Sequence, residues 1–257
     1  MPLQTISRLT SPHRSQKTNL QLGGYLAFVA GTINAGGFLA IAQYTSHMTG
    51  IISSIGDNLA LRDVVPVLGA LSMLLSFVLG SMVSTVMANW GRRHRIYSEY
   101  AMPLLLEAIL LLIFGVLGAN LNVYTPLTVP TIALMLCFMM GLQNAIITKI
   151  SKAEIRTTHM TGIVTDIGIE LGRLFYWNRS SAGNQVHPVL ANRQKLKTHL
   201  LVFSMFLIGG AFGAISFKTY GYISVVPISI SLIAVSSLQI YRDIRRLFKM
   251  FGSYPHI

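Results

Sequence analysis

Two histidines stand in the same unusual setting. His47 lies in Thr45-Ser46-His47-Met48-Thr49-Gly50-Ile51, and His159 in Thr157-Thr158-His159-Met160-Thr161-Gly162-Ile163. An imidazole can donate, accept or relay a proton near neutral pH. The Thr49-Gly50 and Thr161-Gly162 pairs behind them suit a break in a membrane helix. Glycine adopts backbone shapes other residues resist, and threonine can satisfy freed backbone groups. Helix ends at such breaks carry partial charges that can hold ions or polar solutes. Written as a helix, the second segment sets His159, Asp166 and Glu170 on one stripe, with Arg173 within pairing reach of Glu170. The first segment puts His47, Ser54 and Asn58 on the equivalent stripe. Three amides, Asn34, Gln143 and Asn144, and one carboxylate, Glu107, lie inside apolar runs. An ionisable group there points to proton or cation binding.

Each of these features also has a plain structural reading. Amides at membrane depth make interhelical hydrogen bonds worth about 0.6–2 kcal/mol. Glu107 could be the satisfied partner of a neighbouring histidine or amide. The Thr-Gly pairs could serve close helix packing, and the polar stripes could simply meet water.

The elements that hold these residues come in two copies. Residues 45–56 and 157–168 share eight identities in twelve positions, where chance supplies about one. Upstream, Gly31-x-x-Asn34-Ala35 matches Gly141-x-x-Asn144-Ala145. The chain is an internal duplication.

Of the 257 residues, 52% are hydrophobic and only 11% charged, and the mean hydropathy is +0.58. Soluble domains carry about 25% charged residues. Thr18–Gly56, Val64–Gly91, Ala108–Thr148, Thr198–Phe217 and Thr219–Tyr241 contain no Asp, Glu, Lys or Arg. Crossing a bilayer takes about 20 apolar residues of helix. The sequence therefore predicts an all-α polytopic transmembrane bundle. Its six spans are near Leu20–Ala42, Val64–Trp90, Ala101–Ala119, Leu127–Thr148, Leu200–Phe217 and Tyr222–Ile240. The Gly36-Gly37 pair near the end of the first span reads as a break. Residues 1–19 form a polar, basic leader ahead of an uncleaved first span, 20–241 the membrane domain, and 242–257 a basic tail.

The net charge of +12 belongs to loops facing anionic lipid, since no aromatic-basic nucleic-acid module is visible. Of the 20 Lys and Arg, 18 fall in the leader, the second and fourth connections and the tail. Arg62 and Lys218 are the other two. The positive-inside rule then places both termini in the cytoplasm. Thr45–Leu61 cannot be a further full span, because that would put Arg92, Arg93 and Arg95 outside. It is expected to be re-entrant, broken or interfacial. Repeat one (about 20–119) and repeat two (about 127–241) each hold three spans, so the second enters from the opposite side. They are inverted repeats about an axis in the membrane plane.

Gly141-Leu142-Gln143-Asn144-Ala145, followed by Arg156-Thr157-Thr158-His159-Met160-Thr161-Gly162, resembles the YoaK-like family over roughly residues 20–245. That is a bacterial membrane-protein family built on a domain of unknown function. The first copy departs from its pattern, with Asn34 where Asp is common and Ile51 where Asn is common. The resemblance implies a six-span membrane protein and no settled activity.

The residues predict a small-solute or ion transporter or channel. Its path runs between the repeats, lined by His47, Thr49, Gly50, His159, Thr161, Gly162 and Glu107. Asn34, Gln143, Asn144, Asp166 and Glu170 are the other candidates. One alternative is a membrane-embedded enzyme using His159 with Asp166 or Glu170. Another is a non-catalytic membrane interaction protein. No H-E-x-x-H motif, P-loop or G-x-S-x-G elbow is present, so no metal, cofactor or catalytic residue is assigned. Cys137 is the single cysteine. The expected partners are the lipid bilayer and a solute or ion, not nucleic acid, with homo-oligomerisation left open.

Overall fold

A computed structural model describes residues 16–94, 96, 99–120, 125–151, 155–176 and 189–251. Most of the expected leader and the end of the expected tail lie outside these residues. The described chain is helical. Its order is α1 (Gln16–Ile41), α2 (Met48–Ala60), α3 (Val64–Arg93), α4 (Ala101–Ala119), α5 (Thr125–Ile150), α6 (Met160–Phe175), α7 (Arg193–Tyr220), a 3-10 turn at Gly221–Ser224, and α8 (Val225–Phe251). Five stretches are long and apolar enough to cross a membrane: Lys17–Ile41, Val64–Arg93, Ala101–Ala119, Leu127–Ile150 and Arg193–Ser237. The last has 45 residues and is divided at Gly221, whose φ of +64° no helix continues through. It holds two helices, α7 and α8. Helix α8 continues to Phe251, into the region expected to be a tail.

The helices α2 and α6 have 13 and 16 residues. At 1.5 Å per residue they reach about 20–24 Å, short of a core about 30 Å thick. Neither is a full span.

The layout respects the duplication. Helices α1 and α5 are central: 56% and 61% of their apolar windows are buried, against 17% for α3. Each central helix packs against the second long helix of the other copy. Gly31 and Gly209 hold α1 and α7 together, and a Cβ on either would run into the carbonyl of Phe206 or Phe28. Gly141 and Gly80 do the same for α5 and α3, against the carbonyls of Phe77 and Phe138. Without side chains at the crossing, the backbones approach closely, which is how helices associate in lipid. Thr32 Oγ1 donates to the Gly209 carbonyl (3.0 Å) and Ser81 Oγ to the Gly141 carbonyl (3.0 Å), one cross-bond at each crossing. Helix α4 meets the start of α8 through Gly115, which seats Val225, and the 3-10 turn through Gly118, which seats Tyr222.

The Gly36-Gly37 pair does not break α1, which runs on to Ile41. Instead Gly36 faces the Phe217 ring, and Gly37 faces Leu136 and Thr45. The chain turns at Ala42, in the left-handed region (φ 54°), with its N–H on the Phe38 carbonyl (2.8 Å).

Candidate functional site

After that turn the chain doubles back. Ser46 Oγ donates to Asn34 Oδ1 (3.0 Å), although Asn34 lies seven residues before the end of α1. Residues 42–46 therefore retreat about 10 Å along their own helix. The second copy repeats the device. Asn144 Nδ2 and Oδ1 meet Thr158 Oγ1 at 2.6 and 2.9 Å, and Asn144 lies six residues before the end of α5. Of the three candidate amides, Asn34 and Asn144 thus fix the segment that doubles back to its parent helix, while Gln143 donates to Glu107 instead.

The short helices begin where the chain has re-entered. His47 and His159 are their N-caps, and neither side chain makes a capping hydrogen bond. Each ring instead lies over the glycine three residues on, Gly50 or Gly162, where a Cβ would collide with it. Thr49-Gly50 and Thr161-Gly162 are accordingly in the first helical turn. The chain break falls just before them, and the glycine makes room for imidazole.

Both segments line one cavity of about 440 Å³. Ser46, His47, Met48 and Thr49 come from one copy, and Thr158, His159, Met160 and Thr161 from the other. Asn144, Thr148, Phe77 and Arg156 complete the lining. No carboxylate is among them. The first turns of two helices, with backbone N–H groups free of intrahelical partners, open on the same space as one guanidinium and two imidazoles. Thr45 and Thr157, one residue earlier in each copy, are both buried with hydroxyls that have no partner.

A second cavity, about 770 Å³, adjoins the first through His47. The stripe His47, Ser54 and Asn58 lines it, opposite Pro66, Gly69 and Ala70 of α3. Tyr44, stacked on Phe38 (ring centroids 4.7 Å apart), forms part of its wall.

The corresponding stripe of the second copy meets different surroundings. Asp166 pairs with Lys195 (3.1 Å) and faces His199 (3.7 Å), both on α7. Glu170 is buried; it accepts from Arg173 (2.9 Å) and from the backbone N–H of Asn192 (2.7 Å), the N-cap of α7. These carboxylates serve α7, and neither lines either cavity with His159. Glu107 is also apart. It is fully buried, accepts from Gln143 Nε2 (2.9 Å), and lines neither cavity. Among the described residues, no three His, Cys, Asp or Glu side chains group to hold a metal ion.

The sequence reading missed Arg156, Lys195 and His199. Arg156 directly precedes the second motif, where the first copy has Tyr44, so the repeat itself masked it. It also missed that all four crossing glycines stand in Phe-x-x-Gly: Phe28–Gly31, Phe77–Gly80, Phe138–Gly141 and Phe206–Gly209.

A region of the chain is similar to a protein of Bacillus subtilis (strain 168), the UPF0700 transmembrane protein YoaK. The identity is 27% over 153 residues, 59% of this chain and 67% of that protein. No solved structure matches. The family model described as "Protein of unknown function (DUF1275)" matches residues 22–238. With its apolar helices and this match over most of its length, the chain is a multi-pass membrane protein that belongs to the DUF1275 family of unknown function.

Proposed function

We propose that the protein moves a small solute or ion across the bacterial inner membrane along a path between two inverted three-span repeats. The observation that carries this reading is the 440 Å³ cavity built from equivalent residues of both copies. Its chemistry suits an anion or an oxygen-rich polar solute, because Arg156, two imidazoles and two helix N-termini meet there without a carboxylate. His47, Thr49, His159 and Thr161 contact the solute, Asn34 and Asn144 hold the segments in place, and Gly50 and Gly162 seat the rings. The sixth crossing comes from the division of the 45-residue stretch into α7 and α8.

Flux of a panel of small anions and neutral polar solutes into proteoliposomes tests this. One class should enter, and His47→Ala, His159→Ala and Arg156→Gln should each abolish its entry while leaving folded protein. Absence of flux for every class, or flux indifferent to all three changes, would sink the reading. The 18-to-2 split of basic residues supports cytoplasmic termini. A reporter active only in the periplasm should be silent at residue 257 and active between residues 120 and 126.

A further inference from the structure

The two copies share a backbone plan, which allows their side chains to be compared position by position. Residues 45–56 align with 157–168 at one constant offset, which sets Ser54 against Asp166 and, carried on, Asn58 against Glu170. A second constant offset relates α3 to α7. It maps the N-cap Asp63 on Asn192, and Phe77 and Gly80 on Phe206 and Gly209. The same offset sets Pro66 against Lys195 and Ala70 against His199.

These pairings bring out a difference in state. In the first copy, Ser54 and Asn58 turn back on their own helix, to the carbonyls of Ile51 (2.8 Å) and Ser54 (2.7 Å). Among the described residues neither makes a hydrogen bond to α3, and both line the 770 Å³ cavity together with Pro66 and Ala70. In the second copy, the equivalent side chains bridge α6 to α7: Asp166 to Lys195 and His199, and Glu170 to the Asn192 backbone. We infer that the two copies are the two doors of one path: the α2–α3 door stands open as a vestibule leading to His47, and the α6–α7 door is locked by the Asp166–Lys195 and Glu170–Asn192 contacts. In the proposed orientation the open door faces outward and the locked door faces the cytoplasm. In this reading the Asp166–Lys195 ion pair is made only while the second door is shut. Weakening it therefore shifts the population toward the state with the second door open and the first closed.

The inference rests on the transport reading, since a door implies passage, but its test is separate. In a Cys137→Ala chain, Ser54→Cys provides one thiol in the vestibule, and its labelling rate by a hydrophilic thiol reagent is measured in detergent. We expect rapid labelling, slowed roughly tenfold when Lys195→Gln or Asp166→Asn is added. The exchange Asp166→Lys with Lys195→Asp should restore the original rate. Lys195→Gln removes only a half-exposed cation, so folding should survive. Unchanged or faster labelling in both lock variants would overturn the inference. Slowed labelling in a protein that carries no flux would keep the doors and remove the transport reading. Flux with no change in labelling would remove the doors alone.

Discussion

The α1–α7 and α5–α3 crossings are near copies of each other, whereas the spaces beside them have diverged. At both crossings glycine meets a phenylalanine carbonyl, and a hydroxyl donates to a glycine carbonyl. Beside one crossing lies a cavity walled by Ser54, Asn58, Pro66 and Ala70; beside the other lie two anchored carboxylates. The difference follows from what each place tolerates. A backbone-to-backbone contact has no room for any Cβ, so only glycine serves in either copy. A cavity wall needs only to avoid an unpaired charge, so Asp and Glu can replace Ser and Asn when Lys195, His199 and Asn192 supply partners.

The largest effect should come from the crossings. Gly141→Val places branched atoms against the Phe77 backbone and should leave no folded protein, as should Gly31→Val against Phe206. Gly141→Ala and Gly31→Ala should each cost about 1–3 kcal/mol, read as matching falls in thermal midpoint. A disagreement between the two alanine variants of more than about 1 kcal/mol would break the equivalence.

A smaller, asymmetric effect is expected beside the crossings. Glu170→Ala leaves the Asn192 N–H and Arg173 without their acceptor and should cost about 1–3 kcal/mol. Asn58→Ala removes only a bond to its own helix and should stay within about 0.5 kcal/mol. Equal costs would mean that the two sides are not in different states.

The smallest effect belongs to the histidine seats. In Gly50→Ala and Gly162→Ala the new methyl meets a side chain that can rotate away, so stability should hardly change in thermal unfolding. The imidazole would be displaced, so the nuclear magnetic resonance signals of both rings should shift. A large loss of stability would show that the ring over glycine is a packing element.

The spans were legible because charge-free apolar runs of about 20 residues cross lipid as helices, which satisfy their own backbone, and the duplication because eight identities in twelve positions exceed chance. The α2 segment was legible as a partial span from the placement of Arg92, Arg93 and Arg95, and α6 only as its copy in the repeat. The point of turning was not. It falls at Ala42, a residue with no intrinsic preference for positive φ, and is fixed by the Ser46–Asn34 bond. Gly36-Gly37 invited a break, but a glycine inside a packed bundle can equally make room for Phe217 and Thr45. The Phe-x-x-Gly crossings were written in the sequence, yet two common apolar residues three positions apart carry little information in such a chain. The Arg173 partner of Glu170 was legible from its spacing of three residues, but Lys195, His199 and the Asn192 N–H were out of reach, because α3 and α7 differ at the positions that face α2 and α6.

The central claim is that the equivalent segments of the two copies meet in one cavity. A space of 440 Å³ is on the order of 10 Å across. The direct measurement is cross-linking of Thr49→Cys with Thr161→Cys, in a Cys137→Ala chain, by a bifunctional thiol reagent about 10 Å long. An intramolecular cross-link at high yield is predicted, abolished when either cysteine is omitted. If the segments lay at opposite faces of a core roughly 30 Å thick, no intramolecular cross-link would form, and that result would contradict a shared site.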